Sequence, residues 1–445
     1  KCKNTSNFYR IEIDKGTDDT YELAIEADDA SYFNLFGYAN RSHDEVAQLD
    51  DNAAAADQRN PNALGLYRGT VRLKSNVNVP VLNNVVNYNI SEAARLWIDG
   101  GSAAKSDGTA IVVYGKIQVT NGTLNSTVNS GITIRENGLV KVEGGTLTIN
   151  QLRTSVFGAE NVGGYVQSGG TTNILGGTTA GDYYCFNLTY PGNVFNMSGG
   201  TLHIKEAHGK GGIFINSDEV NQNVTGGTVI LEIDDGNDFP ITSKAPFWDV
   251  IIRYSGESTD TGKHILTNGT DVGATDENLA VQDFVILNDL TIETGTTRDD
   301  GTNDYGSYLD LVPDNTNPAD LYVGKNLTLE DSTVLDVWGW TGADNSTSAT
   351  LYFNGSSEAV FQIGDITSYT NALLQYKSPD ISDGGPNGNF PSNNTGEMHT
   401  YKYNLPLYNL IVDKPGGKLS LAANSPGKGG RWTDGHWVCT NGGKN

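Results

Sequence analysis

The chain has 445 residues, of which 54 are glycine and only 37% are hydrophobic. A chain of this length exceeds one ordinary compact core, and its composition suits one elongated repetitive domain of short strands and frequent turns. It carries 53 acidic and 29 basic residues and a formal net charge of −24. This charge argues against a nucleic acid or an anionic membrane as the partner.

The N-terminal section, residues 1–66, opens with the alternating segment Phe8-Tyr9-Arg10-Ile11-Glu12-Ile13. Alternation of polar and apolar residues predicts a half-buried strand. Residues 39–62, which include Ala53-Ala54-Ala55-Ala56, are the one stretch with helical propensity. We expect a partly helical insertion there, because solenoids tolerate insertions at their corners.

Residues 67–246 contain a repeat in which a glycine-rich turn precedes a short β-branched strand. Copies of Gly-Gly-Thr lie about 23 to 30 residues apart, which is the period of one coil of a parallel β-solenoid. Glycine pairs predict corners where φ is positive or where coils approach closely. The copies begin at Gly144, Gly169, Gly199 and Gly226, with a related Asn121-Gly122-Thr123 and an extra copy at Gly176.

A longer-range repeat of aromatic-led strands marks the later sections, residues 247–406 and 407–445. It comprises segments that begin at Phe8, Phe247 and Leu407, and the second of them is followed by related segments at Phe284 and Leu321. The segments 294–307 and 378–400 are rich in Gly, Asp, Asn and Thr or Ser, and we expect long surface loops there. The last section looks like the start of a further, truncated one.

These motifs resemble the large β-helical surface proteins of Bacteroidota that the type IX system exports, a group that includes gliding adhesins. The resemblance covers most of the chain after about Tyr67 and is carried by the aromatic-led strands, by Asn326-Leu327-Thr328-Leu329 and by the Gly-Gly-Thr-Leu turns. It implies an all-β, right-handed parallel β-helix with loop insertions at the cell surface. It implies glycans, surface proteins, other copies or the export machinery as partners, and it supplies no catalytic residue.

Two acidic loops are candidate Ca²⁺ sites, because each gathers several oxygen ligands around a glycine turn. Neither loop matches the EF-hand spacing, and the same residues form ordinary solvated turns. No other cofactor is expected. The candidate ligands are Asp234, Asp235 and Asp238 in the first loop, and Asp299, Asp300, Asn303 and Asp304 in the second.

Trp338 and Trp340 are candidates for ligand binding, because on a strand two residues that far apart point to the same side. Their rings would stack on sugars if they are exposed, or cover a glycine-rich corner of the core if they are not. Ser332, in Asp331-Ser332-Thr333, resembles an acceptor site for O-glycosylation in Bacteroidota.

An enzyme is the less favoured interpretation, although parallel β-helices include polysaccharide lyases and glycoside hydrolases. The 6 histidines are scattered, and we expect no metal-ligand spacing and no basic constellation beside the acids. The 3 cysteines, Cys2, Cys185 and Cys439, allow at most one intrachain disulfide. The sequence therefore predicts a structural or adhesive module, with an enzyme or a purely architectural stalk as alternatives.

Overall fold

In a computed structural model of the chain, most of the described residues form β-strands. The described residues are 1–8, 10–35, 63–82, 87–105, 110–128, 131–154, 163–176, 184–206, 212–234, 239–256, 265–267, 281–296, 298–299, 304–312, 318–330, 333–340, 346–363 and 409–423. Within these ranges the helical elements are two 3-10 turns, Ala30–Tyr32 and Glu219–Asn221. None of the described helices has the length and hydrophobicity needed to cross a bilayer.

The chain divides into two compact units, Lys1–His208 with Phe214–Thr228 and Gly209–Ile213 with Val229–Asn445. The strands of the first unit are β1 (Ser6–Phe8), β2 (Ile11–Asp14), β3 (Glu22–Ile25), β4 (Phe33–Leu35), β5 (Leu64–Leu73), β6 (Asn78–Val79), β7 (Tyr88–Ile90), β8 (Ala94–Lys105), β9 (Ile111–Val113), β10 (Lys116–Ser126), β11 (Ile132–Ile134), β12 (Leu139–Val142), β13 (Thr146–Ile149), β14 (Leu152–Thr154), β15 (Gly164–Ile174), β16 (Phe186–Leu188) and β17 (Val194–Glu206). Residues of both units contribute to β18 (Ile213–Ile215) and β19 (Gln222–Ile233).

Two long parallel sheets form the first unit. In the main sheet, the strand order is β2, β5, β8, β10, β12, β15, β17, and β13 continues the row between β10 and β15. In the second sheet, β7, β9, β11, β14 and β16 lie side by side in chain order. The strands alternate between the two sheets along the chain, so each repeat adds one strand or a strand pair to the main sheet and one strand to the second sheet.

The core of the first unit consists of apolar columns that run across the strands. Parallel register places Val71, Leu96, Ile117, Val140 and Tyr165 beside one another on successive main-sheet strands. All five are fully buried. Each repeat therefore buries its apolar residues against the next repeat, as a stacked array requires.

The Gly-Gly-Thr copies stack in register, as the period predicts. Thr123 pairs with Thr146, Thr146 with Thr171, and Thr171 with Thr201. The second glycines Gly145 and Gly200 have φ of 63° and 78°, which is the left-handed region that favours glycine. The prediction of positive φ and close approach at these glycines is confirmed.

The strands that follow in the second unit are β20 (Phe239–Ser243), β21 (Asp249–Tyr254), β22 (Ile265–Thr267), β23 (Phe284–Ile286), β24 (Leu290–Ile292), β25 (Arg298–Asp299), β26 (Asp304–Tyr305), β27 (Tyr308–Asp310), β28 (Leu321–Val323), β29 (Leu327–Leu329), β30 (Val334–Asp336), β31 (Trp338–Trp340), β32 (Ser346–Ser348), β33 (Thr350–Phe353), β34 (Ala359–Ile363), β35 (Asn409–Val412) and β36 (Leu419–Ala423). Three rows of parallel strands run through this unit: β20-β22-β27-β30, β21-β24-β29-β34-β36 and β23-β28-β33-β35. The aromatic-led segments at Phe284 and Leu321 pair directly.

A ladder of Asp and Asn side chains joins successive strands of the second unit. Oδ1 of Asp249 accepts a hydrogen bond from the backbone N of Asp289 at 3.2 Å, and Oδ1 of Asp289 accepts one from the backbone N of Asn326 at 3.1 Å. Oδ1 of Asn326 in turn accepts from the backbone N of Val360 at 2.9 Å. Part of the acidic composition thus serves to fasten one repeat to the next.

The all-β fold with long parallel sheets is confirmed. The predicted insertion at 39–62 and the predicted loop at 378–400 lie outside the described residues. Within the predicted loop 294–307, β25 and β26 form a short antiparallel pair. This pairing occupies part of a segment that composition alone indicated as irregular.

Candidate functional site

The outer face of the main sheet in the first unit carries a dense group of polar side chains around one tryptophan. Alternation along β5, β8, β10 and β12 turns every second residue away from the core. Parallel register then places Arg72, Trp97, Gln118 and Lys141 in one column, and Arg95 beside Lys116 in the next. We call this group the Trp97 patch; its members are Asp19, Glu22, Arg72, Arg95, Trp97, Asp99, Lys116, Gln118, Thr120, Lys141 and Glu143.

Two guanidinium groups lie against the indole of Trp97. The guanidinium carbon of Arg72 is 3.9 Å from the ring centroid and that of Arg95 is 5.0 Å away. The ring quadrupole attracts both cations. The indole Nε1 donates a hydrogen bond to Oγ1 of Thr120 at 2.9 Å, so the orientation of the half-buried ring is held from its edge as well.

Asp99 fixes the position of Arg72. Its Oδ2 accepts a hydrogen bond from Nε of Arg72 at 2.7 Å, and its Oδ1 accepts one from Thr120 at 2.8 Å. Burial by itself raises the pKa of Asp99, but these hydrogen bonds and the charge of Arg72 outweigh it and lower the pKa below 3.8. The carboxylate is therefore ionised throughout the neutral range, and the Arg72–Asp99 pair is preorganised.

Glu143 plays the same part at the other end of the column. Its Oε2 accepts a hydrogen bond from Nε2 of Gln118 at 2.6 Å, and its Oε1 lies 2.7 Å from Nζ of Lys141. Burial raises the pKa of Glu143, but the bonds from Lys141 and Gln118 lower it overall. The column thus ends in a paired but partly exposed ammonium group.

Asp19 is shared by two cations. Its Oδ2 lies 2.8 Å from Nζ of Lys116 and 4.0 Å from Nε of Arg95. Arg95 also donates to the backbone oxygen of Asp19 at 3.2 Å and to Oε1 of Gln118 at 3.1 Å. Four basic residues face four acidic ones in the patch, so it is locally neutral in a chain of net charge −24.

A second polar and aromatic group lies in the second unit. The rings of Tyr322 and Tyr352 stack with centroids 4.3 Å apart and planes 4° apart. Burial, then the charge of Asp283, raises the pKa of Tyr322 to about 12. Oδ1 of Asp320 accepts a hydrogen bond from the backbone N of Thr350 at 2.7 Å, so this group serves mainly to join repeats.

The predicted metal ligands fall largely outside the described residues, as Asp235, Asp238, Asp300 and Asn303 do. Asp234 directly follows β19 and is half-buried. Asp299 and Asp304 are paired across β25 and β26, and their side chains are not described. Over the described part of the chain, no three His, Cys, Asp or Glu side chains form a group that could hold a metal ion.

The predicted tryptophans lie on a strand, as the sequence suggests. Trp338 pairs with Ser348 and Trp340 with Ser346, across the antiparallel β31 and β32. Their side chains are not described, so sugar stacking and core covering both stay predictions. Ser332 lies outside the described residues, and Thr333 next to it is buried.

The Trp97 patch was not predicted from the sequence. The expectation that no basic constellation accompanies the acids is wrong for the described residues, because Arg72, Arg95, Lys116 and Lys141 come together on four successive strands. A usable signal was present: each lies at a polar position of an alternating strand, and these strands lie one period apart. The exact register that unites them is a tertiary property.

Known proteins do not assign this patch a role. The chain matches no protein-family model, no curated protein and no solved structure. The functional conclusion therefore depends on the stacked parallel strands and on the chemistry of the patch.

Proposed function

We propose that the chain is a stretch of right-handed parallel β-helix that works as a structural and adhesive module of a large bacterial surface protein. The observation that carries the proposal is the in-register stacking of equivalent residues, from Val71 through Leu96 and Ile117 to Val140. Stacking of this kind extends a structure by addition of repeats. It also presents similar lateral surfaces many times, which suits multivalent binding.

The proposed location is the extracellular face of the cell, after export by the type IX system. The resemblance to Bacteroidota surface proteins supports this part of the proposal. The proposed partners are glycans or surface proteins, and bound Ca²⁺ in the acidic loops would stiffen the module without taking part in chemistry.

Two measurements test the module. Small-angle scattering should show an elongated particle, because strands about 4.8 Å apart accumulate length with every repeat; a compact sphere would contradict the proposal. A glycan array should show binding without conversion. If scattering shows an elongated particle but no glycan on the array binds, the chain is better described as an architectural stalk.

A carbohydrate-active enzyme is the second candidate, and the Trp97 patch is the observation that favours it. Polysaccharide cleavage needs an acid and a base held beside a bound sugar, and the patch holds carboxylates and cations around an aromatic ring. An assay for reducing ends and unsaturated products on pectins, alginates, glycosaminoglycans and glucans decides between the two. Sustained product formation that Glu143→Gln or Asp99→Asn abolishes would establish the enzyme.

A further inference from the structure

Two basic side chains of the Trp97 patch lie side by side. Lys116 lies directly opposite Arg95 on the adjacent parallel strand, and like charges in that position destabilise a sheet. Asp19 lies near both cations, while Asp18 also interacts with Lys116 and Glu143 with Arg95. The side chain of Lys116 is 44% exposed, and its Nζ lies 2.8 Å from Oδ2 of Asp19.

The neighbouring column adds recognition elements in a row. Trp97, Gln118 and Lys141 lie on three successive strands in register, so they follow one another at about 4.8 Å. Trp97 lies against the guanidinium groups of Arg72 and Arg95, and Gln118 is hydrogen-bonded to Arg95 and Glu143. Lys141 is paired with Glu143, and its side chain is 37% exposed. A linear ligand that crosses the strands meets these three groups in order, with Lys116 beside them.

We infer that the Trp97 patch binds a polysaccharide that carries carboxylate or sulfate groups. Lys116 and Lys141 pair with its anionic groups, and the part of the Trp97 indole that Arg72 and Arg95 leave uncovered contacts its ring faces. This inference deepens the adhesive role proposed above and rests on it.

Charge balance favours a glycan over a nucleic acid at this surface. A nucleic acid needs a continuous basic stripe to neutralise a phosphate at each nucleotide. The patch is neutral overall and lies in a chain of net charge −24, so it lacks that stripe. A glycan also has neutral hydroxyl groups and ring faces that can contact the uncharged members of the patch. Its binding should weaken with added salt, since the lysines are partly exposed.

The test is titration calorimetry on the whole chain with three polymers. Polygalacturonate supplies carboxylates, dextran sulfate supplies sulfates, and dextran is the uncharged reference. We expect binding to at least one charged polymer and none to dextran, and the polymer that binds identifies the anionic group. Equal binding to dextran, or to single-stranded DNA of matched length, would overturn the inference.

Single lysine replacements locate the site. Lys116→Gln and Lys141→Gln should each raise Kd on the order of tenfold, through loss of one charge-assisted hydrogen bond. Lys418→Gln is the matched control, because Lys418 is also an exposed lysine near a carboxylate, with Nζ 3.8 Å from Glu358. Unchanged urea midpoints show that the variants fold.

The outcomes separate this inference from the module itself. If Lys116→Gln and Lys141→Gln bind as Lys418→Gln does, the Trp97 patch is not the site. Failure of both charged polymers to bind also refutes the inference, whereas an elongated particle in scattering then still supports the module. A compact particle refutes the module whatever the calorimetry gives.

Discussion

Replacement of Gly200 by valine should destabilise the first unit strongly. Gly200 has φ of 78°, and a Cβ built there would lie 2.6 Å from the backbone oxygens of both Gly169 and Gly170. Those oxygens belong to the preceding repeat. The added side chain therefore meets backbone that cannot move unless two stacked strands separate.

The magnitude follows from two costs. A left-handed conformation costs a residue with a Cβ roughly 1–2 kcal/mol, and overpacking against a well-packed neighbour costs about 1–3 kcal/mol. Gly200→Val should therefore lower the free energy of unfolding by about 2–5 kcal/mol. Neighbouring repeats should lose stability as well, because each is held by the interface with the next.

Urea unfolding followed by circular dichroism measures the loss, with alanine variants as a matched pair. Gly65 has ordinary φ, and a Cβ there would lie 3.3 Å from the ring of Tyr67, which can shift. Gly65→Ala should lose less stability than Gly200→Ala, which should lose roughly 1–3 kcal/mol. If Gly200→Val unfolds at the parent's midpoint, the close contact between repeats is wrong.

Four further results are expected. Asn326→Leu removes the acceptor for the backbone N of Val360 and the Nδ2 donor to Oδ1 of Asp289, and it should cost about 1–3 kcal/mol in urea unfolding. Arg72→Met leaves Asp99 without its cation, so acid titration should show its pKa rising; an unshifted value would contradict the pairing. The lowered pKa values of Asp99 and Glu143 stabilise the fold at pH values above the ordinary pKa values of 3.8 and 4.5, and this stability should be lost as pH falls further. Acid unfolding measures the loss. Excess Ca²⁺ should raise the melting temperature relative to chelator if the acidic loops bind it, and an identical melting temperature would make them solvated turns.

A group with a raised pKa loses its contribution to stability as pH rises, whereas a group with a lowered pKa loses it as pH falls. The pKa of Tyr322 is raised from 10.0 to about 12, first by burial and then by Asp283. Its contribution is present below pH 10 and is lost as pH rises towards 12, because the unfolded chain ionises first. The acidic partners in the Trp97 patch contribute at neutral pH and lose their contribution in acid.

Local sequence determined the elements and their spacing. Alternation in Arg95-Leu96-Trp97-Ile98 and in Lys116-Ile117-Gln118-Val119 specifies half-buried strands, because a strand turns successive side chains to opposite faces. The Gly-Gly-Thr copies specify where φ becomes positive, because only glycine adopts that conformation without steric cost. The period of the repeat also follows from the sequence, because equivalent turns recur at nearly constant intervals.

Tertiary structure alone decided which outward residues meet. Trp97 is 25 residues from Arg72 and 21 from Gln118 along the chain. A shift in register by one residue would turn Arg72 or Gln118 towards the core. Asp19 reaches both Arg95 and Lys116 from the turn between β2 and β3. Local propensity predicts a turn there but does not determine the direction of its side chains. Strand periodicity is a local property of the chain, whereas the pairing of side chains between repeats depends on register, which the packing of the whole core sets.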